Sequence, residues 1–386
     1  MSNVISDIGR SHLLWALTDG VGPIIFTRLI QRFGDAHSAA QATAGDLQQV
    51  HGISRARADQ FTHARDDVAV AVEDEIAAAD ENGVRIISRA DPEYPPGLQQ
   101  IPDAPIVLYI KGEYRDTDTI AIAIVGTRRC SIYGSEQAHR FGELLAGAGF
   151  TVVSGLARGI DAFAHHGAVD AGGRSIAVFG NGLTEIYPPE NRALAEKLIE
   201  RGAWISELPM RAAVRRENFP NRNRIIAGIT LGTLVIEAPM RSGALITARL
   251  ANDYNREVFA LPGRIQEPAS IGTNAFIRDG IAKLVTNLDD ILDELGDLGE
   301  RMSHAADTPT TSTQQSTASE RSAPASLSPL EQRVYKATSF EPVLQDVVIR
   351  AADLPAGEVL ATLTTLELKG LIQRLPGNLV VRRGKA

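Results

Sequence analysis

Between residues 105 and 295, short apolar runs alternate with stretches whose apolar positions recur at helical spacing. Continuous apolar runs of strand length are typical of strands buried on both faces, as in a parallel sheet covered by helices. The pattern therefore predicts an α/β fold whose core is a Rossmann-like parallel sheet. The runs are IAIAIVG at 120–126, TVVSG at 151–155, SIAVFG at 175–180, AWISEL at 203–208, TLVIEA at 233–238 and EVFALPG at 257–263.

The first 80 residues predict a helical module in front of this core. Two turns that contain glycine, Gly20-Val21-Gly22-Pro23 and His51-Gly52-Ile53-Ser54, are each followed by an apolar pattern with helical spacing. Two such units resemble SAM or helix-hairpin-helix modules, whose hairpin amides can hold a backbone phosphate. A small helical packing domain explains the same pattern, and both interpretations stay open.

The composition changes towards the end of the chain. Residues 299–327 include DTPTTSTQQSTASERSAPAS and hold few large apolar side chains, so we expect a disordered linker there. In the tail that follows, Ser328 and Glu331 fit a capping box, and three helices precede a hairpin that turns at Pro376-Gly377-Asn378. This order is typical of a winged-helix-like domain, which binds either DNA or a protein partner. The expected domains are a helical module at 1–80, the Rossmann-like core at 81–298, the linker at 299–327 and the winged-helix-like domain at 328–386, with helices at 329–338, 343–352 and 356–370.

The composition also excludes several classes of protein. No run of about 18 apolar residues occurs, and the start of the chain lacks the order of a secretion signal, so we expect a cytoplasmic protein without a membrane span. A single cysteine, Cys130, permits no internal disulfide and no cysteine-rich zinc cluster. Because the P-loop, H-E-x-x-H and dinucleotide-binding glycine motifs are missing from the sequence, we expect neither a metal nor a cofactor.

The charge is distributed unevenly. A formal net charge of -8 disfavours a protein that coats nucleic acid with its whole surface. The arginine-rich segment from Arg211 to Arg224, RAAVRRENFPNRNR, nevertheless holds five arginines and one acid around Phe219. Guanidinium groups bind phosphate as planar forks, and an aromatic ring stacks on any base, so the segment indicates a local nucleic acid site. The alternative is a surface loop whose arginines pair with acids of the chain.

Three turns at the ends of predicted strands are suited to binding anions. The first is Gly126-Thr127-Arg128-Arg129, the second runs from Ser154 to Asp161 with glycines at 155 and 159, and the third is Arg241-Ser242-Gly243. Glycines let a phosphate approach the backbone, and a following helix N-terminus favours negative charge. Because the carboxyl ends of parallel strands share one edge of the sheet, three such turns can follow a chain of phosphates.

A catalytic interpretation of the same region finds less support. Ser154, Asp161 and His165 suggest a hydrolase, but Ser154 lies outside any G-x-S-x-G elbow, and an aspartate near a helix start is more typical of capping. The run T-L-G-T-x-x-x-E at 230–237 resembles part of a motif of nucleoside monophosphate phosphoribohydrolases, with Glu237 as the acid or base. The paired glycines of that motif are missing. A scaffold for protein partners is a third alternative.

Five segments together resemble the DNA processing protein A (DprA/Smf) family, in order and in spacing. They are GTRRCSIYG, VVSGLARGIDAFAHHGAV, VFGNGLTEIYPPENRAL, ENFPNRNRIIAGI and RSGALITARLANDYNREVFALPG, which together run from Gly126 to Gly263. The resemblance implies a cytosolic bacterial protein that binds single-stranded DNA during natural transformation, protects it and loads the RecA recombinase onto it. Members are generally homodimers with no known catalytic activity, so the resemblance implies that the chain is not an enzyme.

The resemblance also implies a set of DNA-binding residues by their position in these motifs. Arg216 and Arg222 are expected to meet phosphate, whereas Arg224 has an alternative role as a buried partner of Asp161 or Glu237. The expected DNA-binding residues are Arg128, Gly155, Gly159, Arg216, Phe219, Arg222, Arg224, Ser242 and Gly243.

Overall fold

The structure is a computed structural model that describes residues 5–296, 298–299, 327–338, 343–352, 354–369, 371–375 and 379–382. The chain divides into two compact units, Met1–Pro309 and Thr310–Ala386. The predicted linker at 299–327 lies almost entirely outside the described residues.

Six helices form the start of the first unit, and side-chain caps fix where several of them begin. Ser6 and Ser54 accept hydrogen bonds from backbone amides of the first turns of their helices, and Thr43 forms a capping box with Asp46. Gly20 and Gly52, in the two predicted turns, have positive φ angles, which glycine adopts without strain. The helices are α1 Asp7–Leu17, α2 Pro23–Phe33, α3 Ala36–Gln41, α4 Ala44–Leu47, α5 Arg55–His63 and α6 Arg65–Glu81.

These helices bury their apolar faces against the sheet. Leu13, Trp15 and Phe26 belong to the same core cluster as Ile86 of the first strand and Tyr109 of the second strand. Because the helices and the first two strands share one core, apolar packing holds the helical module to the edge of the sheet.

A nine-stranded sheet forms the centre of the first unit. The six predicted strands are all present, parallel and adjacent, which confirms the Rossmann-like core. The strands are β1 Val84–Ser88, β2 Val107–Gly112, β3 Ala121–Val125, β4 Thr151–Ser154, β5 Ser175–Val178, β6 Ala203–Ser206, β7 Gly232–Val235, β8 Glu257–Ala260 and β9 Lys283–Leu284, in the order β1-β2-β6-β5-β4-β3-β7-β8-β9.

The strands β1 and β2 were not predicted. They pair antiparallel with each other, and β2 also pairs antiparallel with β6. An antiparallel pair needs no crossover helix, so these strands interrupt the strand-helix alternation that marks the others in the sequence. They extend the parallel sheet on one side.

Helices cover both faces of this sheet. Along β3, Ala121, Ala123 and Val125 pack into one core, while Ile122 and Ile124 pack into the other. Burial on both faces explains why the strand is apolar at every position. The helices that follow β1 are α7 Pro96–Gln99, α8 Ile132–Gly147, α9 Ile160–Asp170, α10 Arg192–Leu198, α11 Asn218–Ile229, α12 Gly243–Asp253, α13 Ile271–Arg278 and α14 Asp289–Glu294.

The order of the strands creates a crevice beside β3. From β3 the chain continues to β4, β5 and β6 on one side, and then returns to β7 on the other side of β3. The loops that leave β3 and β7 therefore diverge at the carboxyl edge of the sheet. In open α/β sheets this switch point is where ligands bind.

The second unit is a winged-helix domain, as predicted. Ser328 and Glu331 form the predicted capping box, and Val334, Val348 and Leu363 lie in its core. The predicted turn at 376–378 lies outside the described residues. The helices are α15 Pro329–Ala337, α16 Gln345–Ala352 and α17 Ala356–Leu368, and the antiparallel strands β10 Val343–Leu344, β11 Ile372–Leu375 and β12 Leu379–Arg382 lie in the order β10-β12-β11.

Candidate nucleic-acid interface

A cleft of about 1040 Å³ opens at the switch point between β3 and β7. Its walls come from the loops after β3, β7 and β8, and from the arginine-rich segment that leads into α11. We call it the arginine-lined cleft, because five arginines and only two acids line it: Arg128, Arg129, Arg216, Arg222 and Arg241, with Asp161 and Glu267.

Phe219 forms part of the cleft wall at the start of α11. Its ring centroid lies 5.8 Å from that of Tyr187, and the Arg128 guanidinium carbon lies 5.3 Å from the Phe219 centroid. Behind the ring, a Cβ on Gly180 would come within 2.9 Å of it, so this position has no room for a side chain. The ring is thus fixed beside a cation, an arrangement that favours cation–π attraction.

Four of the cleft arginines have exposed side chains: Arg128, Arg129, Arg216 and Arg241. Across the described ranges, none of the four forms an ion pair. Arg216 is the member of the arginine-rich segment among these four, and the surface-loop alternative, in which arginines pair with acids, does not describe it. Arg211 and Arg215 of the arginine-rich segment are also exposed, but they do not line the cleft.

Arg129 and Arg241 were missed as site residues by sequence reasoning. Each is the immediate neighbour of a predicted site residue, Arg128 or Ser242, in a turn already identified as suited to anions. The presence of a cationic residue in such a turn could have identified both as site residues.

Arg222 lies at the bottom of the cleft and is only 4% exposed. Its Nη1 donates to the carbonyl oxygen of Gly155, 2.9 Å away, and to that of Val178. Burial lowers the pKa of Arg222 to about 10, against the opposing attraction of Asp161. Unlike Arg216, which is exposed, Arg222 connects α11 to the ends of β4 and β5.

Arg224 is buried and does not line the cleft. Its Nη1 and Nη2 donate to the two carboxylate oxygens of Glu207, at 3.1 and 2.5 Å, and its Nε lies 3.2 Å from Asp103 Oδ2. The alternative of a buried structural partner matches this position, but the predicted partners, Asp161 and Glu237, are wrong. Sequence spacing alone could not rank the acids, because the loops that carry Glu207 and Asp103 are brought together only by folding.

The buried side chain of Asp161 fills the second glycine turn. The amides of Gly155 and Ala157 donate to Asp161 Oδ2 over 3.1 and 3.4 Å. The turn therefore already holds an anion, and the Gly155 amide is not free for a phosphate. Burial is the largest influence on the pKa of Asp161 and raises it, while Arg222 acts in the opposite direction.

Gly159 has a different function in the same turn. Its φ is +75°, and a Cβ there would lie 2.5 Å from the carbonyl oxygen of Thr127. The glycine thus lets the loop after β4 pass directly against the loop after β3.

Glu237 binds the end of the loop that contains the first turn. Its carboxylate accepts hydrogen bonds from the amide and the hydroxyl of Ser131, at 2.9 and 2.5 Å, at the start of α8. It is 1% exposed and does not line the cleft. The role of acid or base that the phosphoribohydrolase alternative requires is therefore not supported by its position.

The third turn is open to the cleft. Ser242 caps α12 by accepting from the Ala244 amide, and Gly243 is exposed with no atom within 4 Å of the position a Cβ would take. Both residues line the cleft. Unlike the second turn, it is not filled by a carboxylate of the described chain.

The residues of the hydrolase alternative have separate partners. Ser154 donates to the carbonyl oxygen of Ile124, and His165 Nδ1 lies 2.7 Å from the hydroxyl of Ser175. Burial lowers the pKa of His165 to about 3. Burial also raises the pKa of the Cys130 thiol, which favours the less nucleophilic form.

Comparisons with known proteins agree with this architecture. The family model described as DNA recombination-mediator protein A matches residues 85–296, and the one described as DprA winged helix domain matches residues 318–378. Protein Smf of Synechocystis sp. is 34% identical over an alignment that covers 96% of this chain and 98% of that protein.

Two solved structures are similar to this chain. The X-ray structure of DNA processing protein A from Streptococcus pneumoniae has a TM-score of 0.65 and 32% identity, and the match covers 75% of this chain and 98% of that one. A second structure, of the protein from Helicobacter pylori, is described for its single-stranded DNA binding mode. It has a TM-score of 0.50 and 28% identity, and the match covers 55% of this chain and 95% of that one.

We expect the buried and exposed arginines of the cleft to differ in their effect on stability. Arg222→Met should lower the free energy of unfolding by about 2–5 kcal/mol, because it leaves the buried carbonyl oxygens of Gly155 and Val178 without their donor and removes a positive charge that stabilises buried Asp161. Arg216→Met, the matched exposed control, should change it by less than about 0.5 kcal/mol. Urea unfolding followed by tryptophan fluorescence measures both, since Trp15 and Trp204 both lie in the first unit. Equal stability of the two variants would contradict the structural role of Arg222.

His165 should make stability depend on pH. Its folded pKa of about 3 lies below the ordinary value of 6.5, so the unfolded chain binds a proton that the folded protein does not. The stabilisation is complete above pH 6.5 and is lost as the pH falls from 6.5 towards 3. In His165→Gln, the slope of unfolding free energy against pH should be shallower in this window, by up to about 1.4 kcal/mol per pH unit. Urea titrations between pH 4.5 and 7.5 test this, and an unchanged slope would refute it.

Proposed function

The chain belongs to the DNA recombination-mediator protein A family, and on this premise we propose that it binds single-stranded DNA in the arginine-lined cleft. The observation that carries the proposal is the set of exposed arginines around Phe219, which form no ion pair with any residue in the described part of the chain. Cations without internal partners are available for phosphates, and the ring adds a stacking surface. The single-stranded DNA binding described for the Helicobacter pylori protein supports the same conclusion.

The cleft reconciles DNA binding with an acidic protein. The formal net charge of -8 repels DNA from most of the surface, while the exposed arginines attract it to one place. Affinity that arises mainly from neutralised phosphates falls steeply as salt is added. It also depends little on sequence, because every nucleotide carries the same phosphate.

We further propose that the bound strand is protected and handed to the RecA recombinase during natural transformation. The family's description as a recombination mediator supports this role. In this proposal the protein acts as a homodimer in the cytoplasm and performs no catalytic step. Within the residues that the structure describes, no helix has both the length and the apolar character to cross a membrane.

The first prediction of this proposal concerns the arginines. Arg128→Ala and Arg216→Ala should each weaken binding to oligonucleotides of any sequence, because each removes a phosphate contact. Each should also reduce the slope of log affinity against log salt by about 0.7. Fluorescence anisotropy titrations at several salt concentrations measure both effects. Arg211→Ala removes the same charge from the same segment outside the cleft, and it should leave the slope unchanged.

The aromatic ring should behave differently in the same titrations. Phe219→Ala should weaken binding by about 1–3 kcal/mol without changing the salt slope, because it removes a stack and no charge. Arg128 loses its ring contact in this variant. Phe219→Leu lacks the ring as well but keeps an apolar side chain in the cleft wall, so it serves as a control for packing. Unchanged affinity in Phe219→Ala, Arg128→Ala and Arg216→Ala together would refute the location of the site.

The RecA role needs a separate experiment. Single-stranded DNA coated with a single-strand binding protein should become a substrate for RecA filaments faster when this protein is added. RecA ATPase activity measures filament formation, and Arg128→Ala should lose the acceleration in proportion to its DNA affinity. If the wild-type protein binds DNA but never accelerates RecA, the loading role is excluded while DNA binding stands.

A further inference from the structure

The helical module contains the same local structure twice. The Gly20 turn, residues 18–22, joins α1 to α2, and the Gly52 turn, residues 48–54, joins α4 to α5. In each turn the glycine has a positive φ, and the residue after it is buried and donates its amide to the carbonyl three residues earlier. The two turns therefore have the same backbone, and a difference in their function must come from their side chains.

Arginines from two helices come together at the Gly52 turn. From α2, Arg28 donates to a backbone carbonyl of the turn over 2.9 Å, and Arg32 donates to a glutamine side chain of the turn over 2.8 Å. From α5, Arg57 Nη1 lies 3.5 Å from another carbonyl oxygen of the turn, and Arg55 is the first residue of the helix. We call these four residues the turn arginines.

The turn arginines have no acidic partner. Across the described ranges, none of the four forms an ion pair. The one acid of α4, Asp46, accepts from the amide and the hydroxyl of Thr43 over 3.2 and 2.6 Å. Arg32, Arg55 and Arg57 are exposed, and Arg28 is half-buried. Since carbonyl oxygens do not neutralise a guanidinium charge, the cluster can still bind an external anion.

The backbone of the Gly52 turn adds donors to this charge. The amides of Gly52, Ser54 and Arg55 donate no hydrogen bond within the described chain, and all three residues are exposed. The Ser54 hydroxyl caps α5 by accepting from the Arg57 amide. Amides in fixed positions and guanidinium groups on flexible side chains both bind phosphate oxygens.

The Gly20 turn lacks both features. Residues 18–27 contain the exposed acid Asp19 and no lysine or arginine. Pro23 is the first residue of α2, so this helix start has no amide hydrogen at that position. A purely structural role, as in a packing domain, fits the Gly20 turn, whereas phosphate binding fits the Gly52 turn.

We propose that the Gly52 turn and the turn arginines form a second DNA site, which binds backbone phosphates of the single strand outside the arginine-lined cleft. Both sites lie in the same compact unit, so a strand held in the cleft presents its further phosphates at high effective concentration. The inference rests on the proposed function, which supplies the strand, but the cleft does not require the second site. A strand too short to reach both sites gains nothing from it.

The test compares a hexamer with a strand of about 40 nucleotides in anisotropy titrations at several salt concentrations. With Arg55→Ala and Arg57→Ala made together, the long strand should bind about 3- to 30-fold more weakly, and its salt slope should fall by about 1.4, because two phosphate contacts are lost. Binding of the hexamer should not change. Both side chains are exposed, so the variant should fold.

A matched control removes the same charge elsewhere. Arg140 on α8 and Lys197 on α10 are also exposed helical cations, and they belong neither to the cleft nor to the turn. Arg140→Ala and Lys197→Ala, made together, should leave the affinity and salt slope of both strands unchanged. An equal loss of long-strand binding in this control would show a general charge effect and overturn the second site.

A second pair of variants tests the backbone amide. Arg55→Ala and Arg55→Pro remove the same charge, but only proline also removes the amide hydrogen, as Pro23 does in α2. Proline is tolerated at the first helical position, and Ser54 before it is already extended, with φ -75° and ψ 161–163° in line with a residue before proline. Arg55→Pro should bind the long strand about 2- to 10-fold more weakly than Arg55→Ala. Equal affinities would overturn the part assigned to the amide.

The remaining outcomes separate this inference from the proposed function. If the double variant at 55 and 57 binds both strands like wild-type protein, the cleft stands and the Gly52 turn is not a DNA site. If it loses the hexamer equally, the second site is also excluded. If it loses only a blunt duplex of about 20 base pairs, the turn binds duplex phosphates and the assignment to the single strand is wrong. If wild-type protein binds neither strand, the proposed function itself fails.

Discussion

The burial of two opposite charges, Asp161 and Arg222, organises the carboxyl edge of the sheet. Arg222 extends from α11 to the backbone carbonyls of Gly155 and Val178, while Asp161 at the start of α9 holds the amides of the turn after β4. Neither charge is tolerable alone in a buried position, and each offsets part of the cost of the other. The two helices and the two strand ends are thereby fixed in one arrangement around the cleft.

This arrangement divides the arginines of one short segment into two groups. Both Arg222 and Arg224 are buried. Arg222 binds backbone carbonyls and Arg224 binds a carboxylate, so both side chains stabilise the fold. Arg216 is exposed and unpaired in the described structure, as is Arg128 on the neighbouring loop. The division allows an acidic protein to present a strongly cationic surface at one place only.

The protein's own carboxylates also decide where an external anion can bind. Asp161 accepts from two amides of the turn after β4, and Glu237 accepts from the Ser131 amide at the end of the loop after β3, so these amides are not free for a ligand. The exposed arginine side chains of the cleft and the start of α12 near Gly243 remain open to an external anion. Long cationic side chains adapt to a flexible strand more readily than a rigid turn, which suits a ligand without fixed shape.

The sequence by itself determined the repeated local features. Strands buried on both faces must be apolar at every position, so six strands, their parallel arrangement and the cleft at their carboxyl ends followed from the pattern. The winged-helix domain followed from its capping box and helical spacing. The antiparallel strands β1 and β2 did not, because their partners are set by packing against α1 and α6 and not by a crossover helix.

Only the tertiary structure decided which charges serve the fold and which remain for a ligand. Arg216 and Arg222 stand in the same segment with the same side chain, and no local pattern distinguishes them. Helix α11 turns Arg222 towards the ends of β4 and β5, where Gly155 leaves room for its guanidinium. Arg216 precedes this helix and is exposed in the cleft. The burial and pairing of an arginine depend on residues that are distant in sequence and come into contact only when the sheet forms.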